Sequence, residues 1–383
     1  MSLPEELPID LTVEDNSIIK VMGVGGGGCN AVNYMYEMGI HGVSFLVCNT
    51  DQQVLRTSRV PHKLQLGSEG LGAGGRPEVS RKYAEESSEA IRNALNDGTK
   101  MVFITAGMGG GTGTGAAPVV AKIAREMDIL TIGIVTIPFL FEGPSKIKTA
   151  MMGVKEIAAN VDALLVINNQ RLTEMYGDLD LQDGFRKADD VLAKAAKSIA
   201  EIITIPGYIN IDFADVYNTL KNGHIAIMNV GEAEGEDRIT QALENALDSP
   251  LANNADVRGA SRILMQLNCK SMKGSELQQV TEFTKRIGNG VDVSWGVTFD
   301  ESLGDKVKVI LVATGYELDS VNGIIPTSDE QIDAITQSTY NDKIKQTAPF
   351  RPKTSKETIV DITDIDAIEG EDLEDTPAWL RNK

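Results

Sequence analysis

The sequence predicts an α/β protein. A doubly wound N-terminal domain leads through a long central helix into a smaller α+β domain and a disordered tail. Apolar runs of strand type alternate with helical patterns through the first half of the chain. Two glycine-rich loops follow such strands directly and run into helices. Apolar residues then recur at alternating spacings of four and three over residues 178–204, which marks one face of a long helix.

The first strand is expected over residues 17–24. It runs into Gly25, Gly26, Gly27, Gly28, Cys29 and Asn30, with a helix over 31–38. Gly23, Gly25 and Gly28 also satisfy the G-x-G-x-x-G dinucleotide pattern, which any tetraglycine run meets easily. A second strand over 43–49 ends in Asn49, Thr50 and Asp51, either a turn with an Asx cap or a ligand cluster at a strand's carboxyl end. A third glycine-rich loop, residues 70–75 with Gly74, precedes a helical stretch over 79–96.

The densest glycine loop spans residues 107–115, after a strand over 101–105 and before a helix over 116–125. Six glycines bring backbone N–H groups to one point, and the helix N-terminus adds its positive dipole end. Such a loop grips an anion, and the Thr112 and Thr114 hydroxyls can donate to it. A flexible linker would lack the flanking strand and helix.

A strand over 130–137 leads to Pro138, Phe139, Leu140, Phe141, Glu142 and Gly143, with Lys146 on the next helix. Glu142 suits a ribose hydroxyl and Lys146 a phosphate; each is equally a plain surface charge. A short strand over 163–167 ends in Asn168, Asn169 and Gln170.

On the long helix the apolar face is Leu181, Phe185, Ala188, Leu192, Ala195, Ile199 and Ile202, stopped by Pro206 and Gly207. Phe185 and Asp189 stand four apart on one face. An aromatic ring beside a carboxylate can stack on guanine and accept from its N1–H and 2-amino group. A core Phe with a surface Asp has the same spacing, and spacing alone favours that plainer pair. Asp212 and Asp215 stand three apart at a loop-to-helix boundary, with Asn210 just before. They serve either as helix caps or as carboxylates that orient a water. Residues 223–315 predict strands over 225–230, 292–299 and 307–314 and helices over 238–247 and 274–287, with no catalytic cluster.

Composition narrows the partners. With a formal net charge of −19, a nucleic-acid partner is not expected, because phosphate neutralisation needs a basic patch. Three cysteines without paired spacing argue against a disulfide framework or a zinc site, and the three histidines do not cluster. No stretch approaches the roughly 20 apolar residues of a membrane span, and no signal pattern opens the chain; a soluble cytoplasmic protein is expected. G-x-x-x-x-G-K-[ST] does not occur. Beyond residue 317 the composition turns acidic and linker-like, ending in Thr376, Pro377, Ala378, Trp379, Leu380 and Arg381, a docking motif for another protein.

Taken together, the GGGTGTG loop at 109–115 resembles the signature loop of the tubulin superfamily. GVGGGGCNAV, NTD at 49–51, PFLFEG at 138–143, NIDFADV at 210–216 and the terminal TPAWLR resemble its bacterial division branch, the FtsZ family. The resemblance runs over residues 17–318 and again at the C-terminal peptide.

It implies a GTPase that binds GTP or GDP with Mg²⁺ held mainly through the phosphates, not by a protein metal site. Gly26, Gly27, Gly28, Cys29, Asn30, Gly111, Thr112 and Gly113 would hold the phosphates, and Gly74 with its loop would approach the γ-phosphate. Thr136, Glu142 and Lys146 would lie near ribose and phosphates, while Phe185 stacks on guanine and Asp189 reads its edge. It also implies head-to-tail self-polymerisation into the division ring at mid-cell, with Asn210, Asp212 and Asp215 completing the neighbour's site. Membrane-anchor and regulatory proteins of the ring would bind around Trp379, making membrane contact indirect.

The implied divisions are an arm (1–16), a GTP-binding domain (17–177), the central helix (178–206), an α+β domain (207–318), an acidic disordered linker (319–373) and a docking peptide (374–383). Cys29 stands where the family commonly has glycine, Lys146 where arginine is common and Gln170 where an acid is common. A non-glycine at 29 implies that φ is not positive there. Two alternatives to an assembling GTPase are a dinucleotide dehydrogenase, resting on Gly23, Gly25 and Gly28, and a nonhydrolysing scaffold docked through Trp379.

Overall fold

The computed structural model describes residues 17–40, 42–176, 180–247, 259–287, 290–316, 328 and 330–336; for residues 173–176 and 181 only the backbone is described. The expected arm and the Trp379 peptide lie outside the described residues.

The chain first lays down β1 (Ile19–Val24), α1 (Gly25–Glu37), β2 (Ser44–Asn49), α2 (Gln52–Thr57), β3 (His62–Gln65), α3 (Pro77–Glu86) and α4 (Ser88–Leu95). It continues through β4 (Met101–Gly107), α5 (Thr112–Glu126), β5 (Leu130–Ile137), α6 (Pro144–Ala158), β6 (Ala163–Asn168), α7 (Asn169–Tyr176) and the long helix α8 (Leu181–Thr204). Then come α9 (Phe213–Leu220), β7 (His224–Ala233), α10 (Arg238–Leu247), β8 (Arg262–Cys269), α11 (Gly274–Ile287), β9 (Asp292–Phe299) and β10 (Val307–Thr314).

The strands form one sheet in the order β3-β2-β1-β4-β5-β6-β7-β10-β8-β9. From β3 to β7 all neighbours run parallel, while β10 is antiparallel to both β7 and β8. β6 and β7 share only the pairs Ala163–His224 and Leu164–Ile225, so the two halves of the sheet meet at a narrow seam. The order reverses between β1 and β4, whose carboxyl ends lie in register at Val24 and Ala106. In an open α/β sheet that crevice is where ligands bind, and both dense glycine loops emerge there.

Helices cover both faces because the central strands are buried on both sides. One layer sets α1, α8 and α9 against Ile19, Val21, Phe103 and Ile132. The other sets α4, α5, α6, α10 and α11 against Met22, Val24, Ile104 and Leu311.

The helix α8 has 24 residues, about 36 Å at 1.5 Å per residue. Ala188, Leu192, Ala195, Ile199 and Ile202 are buried as the periodicity predicts. Phe185 is not: it is 41% exposed, its ring meeting those of Phe139 and Phe141 edge-on. The side chain of Leu181 lies outside the described residues. At the other end Ile205 turns extended (ψ 115°), as a residue before proline must.

Several elements differ from the sequence expectation. The first glycine run is helical rather than a loop preceding a helix, since α1 starts at Gly25; in the second, residues 109–111 turn as a loop and α5 starts at Thr112, earlier than expected. The stretch 79–96 breaks at Ser87 into α3 and α4. The strand β8 was not anticipated. Part of the expected disordered linker is ordered instead: residues 330–336 are helical, and Ile332, 1% exposed, joins the α6-side core.

Candidate functional site

Three glycine-rich segments converge at the carboxyl ends of β1 and β4. An ideal Cβ on Gly28 would lie 2.3 Å from the Thr105 carbonyl oxygen, and one on Gly113 2.4 Å from that of Gly107. A Cβ on Gly25 would lie 2.6 Å from the Gly113 nitrogen. These glycines let the first turns of α1 and α5 sit directly on the strand ends and against each other. Gly26 and Gly110 differ: a Cβ there meets nothing within 4 Å. The backbone is thus packed beneath and open above.

Neither helix start is capped by a side chain, and neither carries an acid in its first turn. An α-helix leaves its first N–H groups without intrahelical partners, and two such ends side by side make an anion cradle. Cys29 contributes only backbone here. Its buried thiol turns into the core toward the Cys48 carbonyl (3.6 Å), and burial pushes its pKa up to about 12. Its φ is not positive, as expected from a non-glycine. Asn30 is exposed beside it.

The 70–75 loop closes the cradle from the side. Gly72 donates to the Thr50 carbonyl (3.0 Å) and Gln52 to that of Gly70 (3.0 Å). A Cβ on Gly111 would lie 3.0 Å from the Ala73 Cβ, while Gly74 is exposed with φ +58°. The Thr50 and Thr112 hydroxyls meet at 2.8 Å. Asn49 accepts the Asp51 N–H (3.1 Å) and Asp51 accepts that of Gln53 (2.8 Å), so the Asx turn is real and stands beside the cradle. The Thr114 hydroxyl is committed elsewhere: buried, it accepts the Gly109 N–H (2.9 Å) and shapes the loop.

Thr136 lies next along the strand ends, paired with Gly107, and its carbonyl accepts the Met108 N–H (3.0 Å). Glu142 accepts the Phe139 N–H (3.0 Å) and the Lys146 ammonium (3.0 Å), one turn apart on the rim. Gln170 accepts the Leu140 N–H (3.1 Å) and holds the same segment.

Beyond the rim Phe185 meets Phe139 edge-on, centroids 5.3 Å apart, and Phe139 stacks on Phe141 at 5.1 Å. The sequence signal for this cluster was PFLF after β5. Asp189 lies one turn along α8, half-buried, and no hydrogen bond or ion pair to it is found among the described residues. The nearby cations serve its neighbour: Lys187 (3.2 Å) and Lys194 (3.0 Å) both pair with Asp190. Burial without a partner pushes the Asp189 carboxyl up to about 7.

The third candidate cluster is not brought to the cradle. Asn210, Asp212 and Asp215 lie after the far end of α8. Phe139, at the carboxyl end of β5, packs on Gly184 near one end of α8, while Gly42, just before β2 begins, packs on Thr204 at the other. The acids therefore stand at the amino end of the strands and the glycines at the carboxyl end. Asp212 caps α9 by accepting the Asp215 N–H (2.8 Å), and Asp215 accepts that of Asp212 (3.1 Å). Asn210 accepts the Gly207 N–H (3.2 Å).

Residues 18–177 match the Tubulin/FtsZ family GTPase domain, and residues 224–317 match the FtsZ family C-terminal domain. The chain belongs to the FtsZ family. Its FtsZ relatives include the cell division protein FtsZ of Porphyromonas gingivalis, 49% identical over 392 residues that cover 95% of this chain and 85% of the relative. Cell division protein FtsZ 1 of Thermococcus kodakarensis is 44% identical over 301 residues, 78% of this chain and 80% of the relative. Among solved structures the M. jannaschii "FtsZ dimer, empty" superposes with a TM-score of 0.71 at 39% identity, covering 78% of this chain and 88% of that one.

As an FtsZ-family member the chain is a GTP-binding, GTP-hydrolysing protein of cell division. The dehydrogenase alternative falls with this assignment. Among the described residues no helix is long and apolar enough to cross a membrane.

Proposed function

We propose that the chain polymerises head to tail, so that Asn210, Asp212 and Asp215 of one subunit complete the nucleotide site of the next. The observation that carries this is the separation of the two clusters by the length of α8, about 36 Å. One chain cannot close its own site, whereas a copy stacked along the same axis presents its acids to the glycine cradle.

Within the cradle Gly26, Gly27, Gly28, Cys29 and Asn30, with Gly111, Thr112 and Gly113, hold the phosphates, the free N–H groups of the first turns donating to them, and Gly74 approaches the γ-phosphate. Two uncapped helix starts and the open space over Gly26 and Gly110 support this fit. Thr136, Glu142 and Lys146 line the ribose side. Phe185 stacks on the guanine, and the unpaired Asp189 accepts from its edge. Bound with the nucleotide, Mg²⁺ would supply charge balance to the phosphates. The incoming Asp212 and Asp215 hold a water in line with the γ-phosphate and accept its proton.

The functional divisions follow as 17–177 for nucleotide, 178–206 for the connecting helix and 207–318 for the acid loop and its support. The peptide 374–383 docks membrane-anchor and regulatory proteins of the division ring through Trp379, at a cytoplasmic mid-cell location. Its acidic approach and Trp-Leu-Arg tip support that assignment. The test is Asp215→Ala with GTP binding and phosphate release measured together. Binding is retained and turnover falls by two orders of magnitude or so; turnover at the parental rate overturns the shared site.

A further inference from the structure

The acids at the start of α9 depend on what holds its other end. That helix has eight residues, and its last four carbonyls have no intrahelical partner. Those of Tyr217 and Leu220 are met locally, by the N–H groups of Lys221 (2.8 Å) and Gly223 (3.0 Å). The other two are met from far along the chain. Thr314 donates its hydroxyl to the Thr219 carbonyl at 2.6 Å, and Arg262 donates to the Asn218 carbonyl. The same guanidinium reaches past the helix end to the carbonyls of Lys221 (3.0 Å) and Asn222 (3.3 Å).

Arg262 and Thr314 face each other across the β8–β10 pair. Both donors are thus presented by one rung of the C-terminal half of the sheet. The start of the segment is tied to the same half: Ile209 pairs with Val297 of β9, and Tyr208 donates to the Val297 carbonyl (2.7 Å). The segment also touches the N-terminal half: Val216 and Leu220 join the core that holds Ile132 and Ile134, and the Lys221 ammonium lies 3.4 Å from the buried Asp162. With these contacts in place, α9 stays docked when a C-terminal contact is removed, while its far end loses a tether.

We propose that Arg262, backed by Thr314, is a positioning residue for GTP hydrolysis: it fixes the aim of Asp212 and Asp215 by gripping the far end of their helix. This rests on the shared-site reading above. The side chain touches no nucleotide and acts only through α9. An acid pair displaced by about 1 Å at the end of a short helix loses on the order of tenfold to a hundredfold in rate.

The experiment uses the full chain with Arg262→Met, Arg262→Lys, Thr314→Val and, as reference, Asp215→Ala. GTP affinity, sedimented polymer and phosphate release per polymerised subunit are measured on each. For Arg262→Met we expect unchanged GTP affinity, polymer formation retained, and kcat per polymerised subunit lowered about tenfold with KM unchanged. Arg262→Lys keeps one donor and recovers part of the loss. Thr314→Val is nearly isosteric and lowers kcat in the same direction by a smaller factor. A merely structural role would lower melting temperature and GTP affinity together and leave turnover per assembled subunit parental; that pattern, or parental kcat in both Arg262→Met and Thr314→Val, overturns the proposal. If Asp215→Ala hydrolyses normally, the shared-site reading itself has failed. A silent Asp215→Ala with active Arg262 and Thr314 variants refutes the positioning role alone.

Discussion

Asp212 and Asp215 hold each other through reciprocal side chain to backbone bonds, 2.8 Å from the Asp215 N–H to Asp212 and 3.1 Å from the Asp212 N–H to Asp215. The pair is a capping box, and it is also the acid pair assigned to hydrolysis. Asparagine caps a helix about as well as aspartate but cannot take a proton from water. Asp212→Asn is therefore expected to melt within a degree or so of the parent while releasing phosphate at least about tenfold more slowly. Parental turnover would mean that the carboxylates serve only the helix.

Open and closed glycines separate folding from binding. Gly110→Ala adds a methyl into open space and leaves the melting temperature within about a degree. If phosphate occupies that space, GTP affinity falls at least about tenfold. Gly115→Ala puts a Cβ 1.9 Å from the Pro77 carbonyl and forces α3 from α5, so melting itself drops sharply. Calorimetry and nucleotide titration on the two variants distinguish these outcomes; full GTP affinity in Gly110→Ala would move the phosphates elsewhere.

Asp189 has no partner among the described residues, and the guanine-reading role proposed for it predicts pH-dependent GTP binding. Burial raises its carboxyl from the ordinary value of 3.8 to about 7 in the free chain. Accepting from guanine needs the carboxylate, so GTP affinity is expected to fall about tenfold per pH unit below 7. Stability runs the opposite way with pH. Between about 4 and 7 the folded chain binds the proton and the unfolded chain does not, so this contribution is present at low pH and is lost as pH rises through 7. Asp189→Asn removes that loss: it melts higher than the parent at pH 8, no higher at pH 4, and binds GTP weakly at both. Equal melting of the two proteins at pH 8 contradicts this.

Phe185 is 41% exposed, so truncating it costs little folding stability. Stacking on a base is worth about 1–3 kcal/mol, and Phe185→Ala is expected to weaken GTP and GDP binding by that amount equally. Loss of GTP affinity alone would place the ring near the γ-phosphate instead.

The parts of the fold that repeat a local pattern were legible in the residues; parts decided by tertiary burial were not. Strand, glycines and helix announce themselves at β1 and β4. Helix propensity nevertheless disfavours glycine, which hid the fact that Gly25–Gly28 form the first turn of α1. That turn is helical because its glycines pack on Gly107 and Thr105. β8 went unseen because its apolar run at 263–265 is cut short by the buried polar Gln266. The helix at 330–336 was masked by the acidic composition around it, although Ile332 and Ile335 stand at helical spacing. For the site, spacing placed Phe185 and Asp189 together but left the plainer pair favoured. The structure adds that Phe185 is 41% exposed and that Asp189 has no partner among the described residues, which spacing could not show.

The most direct test of the shared site is phosphate release per chain as a function of protein concentration, with GTP in excess. If the acids of one subunit complete the site of the next, the rate per chain is near zero in dilute solution, rises through the concentration at which polymer first sediments, and then levels off. A rate per chain that stays constant from well below that concentration to well above it would show that each chain hydrolyses GTP alone, and would contradict the account.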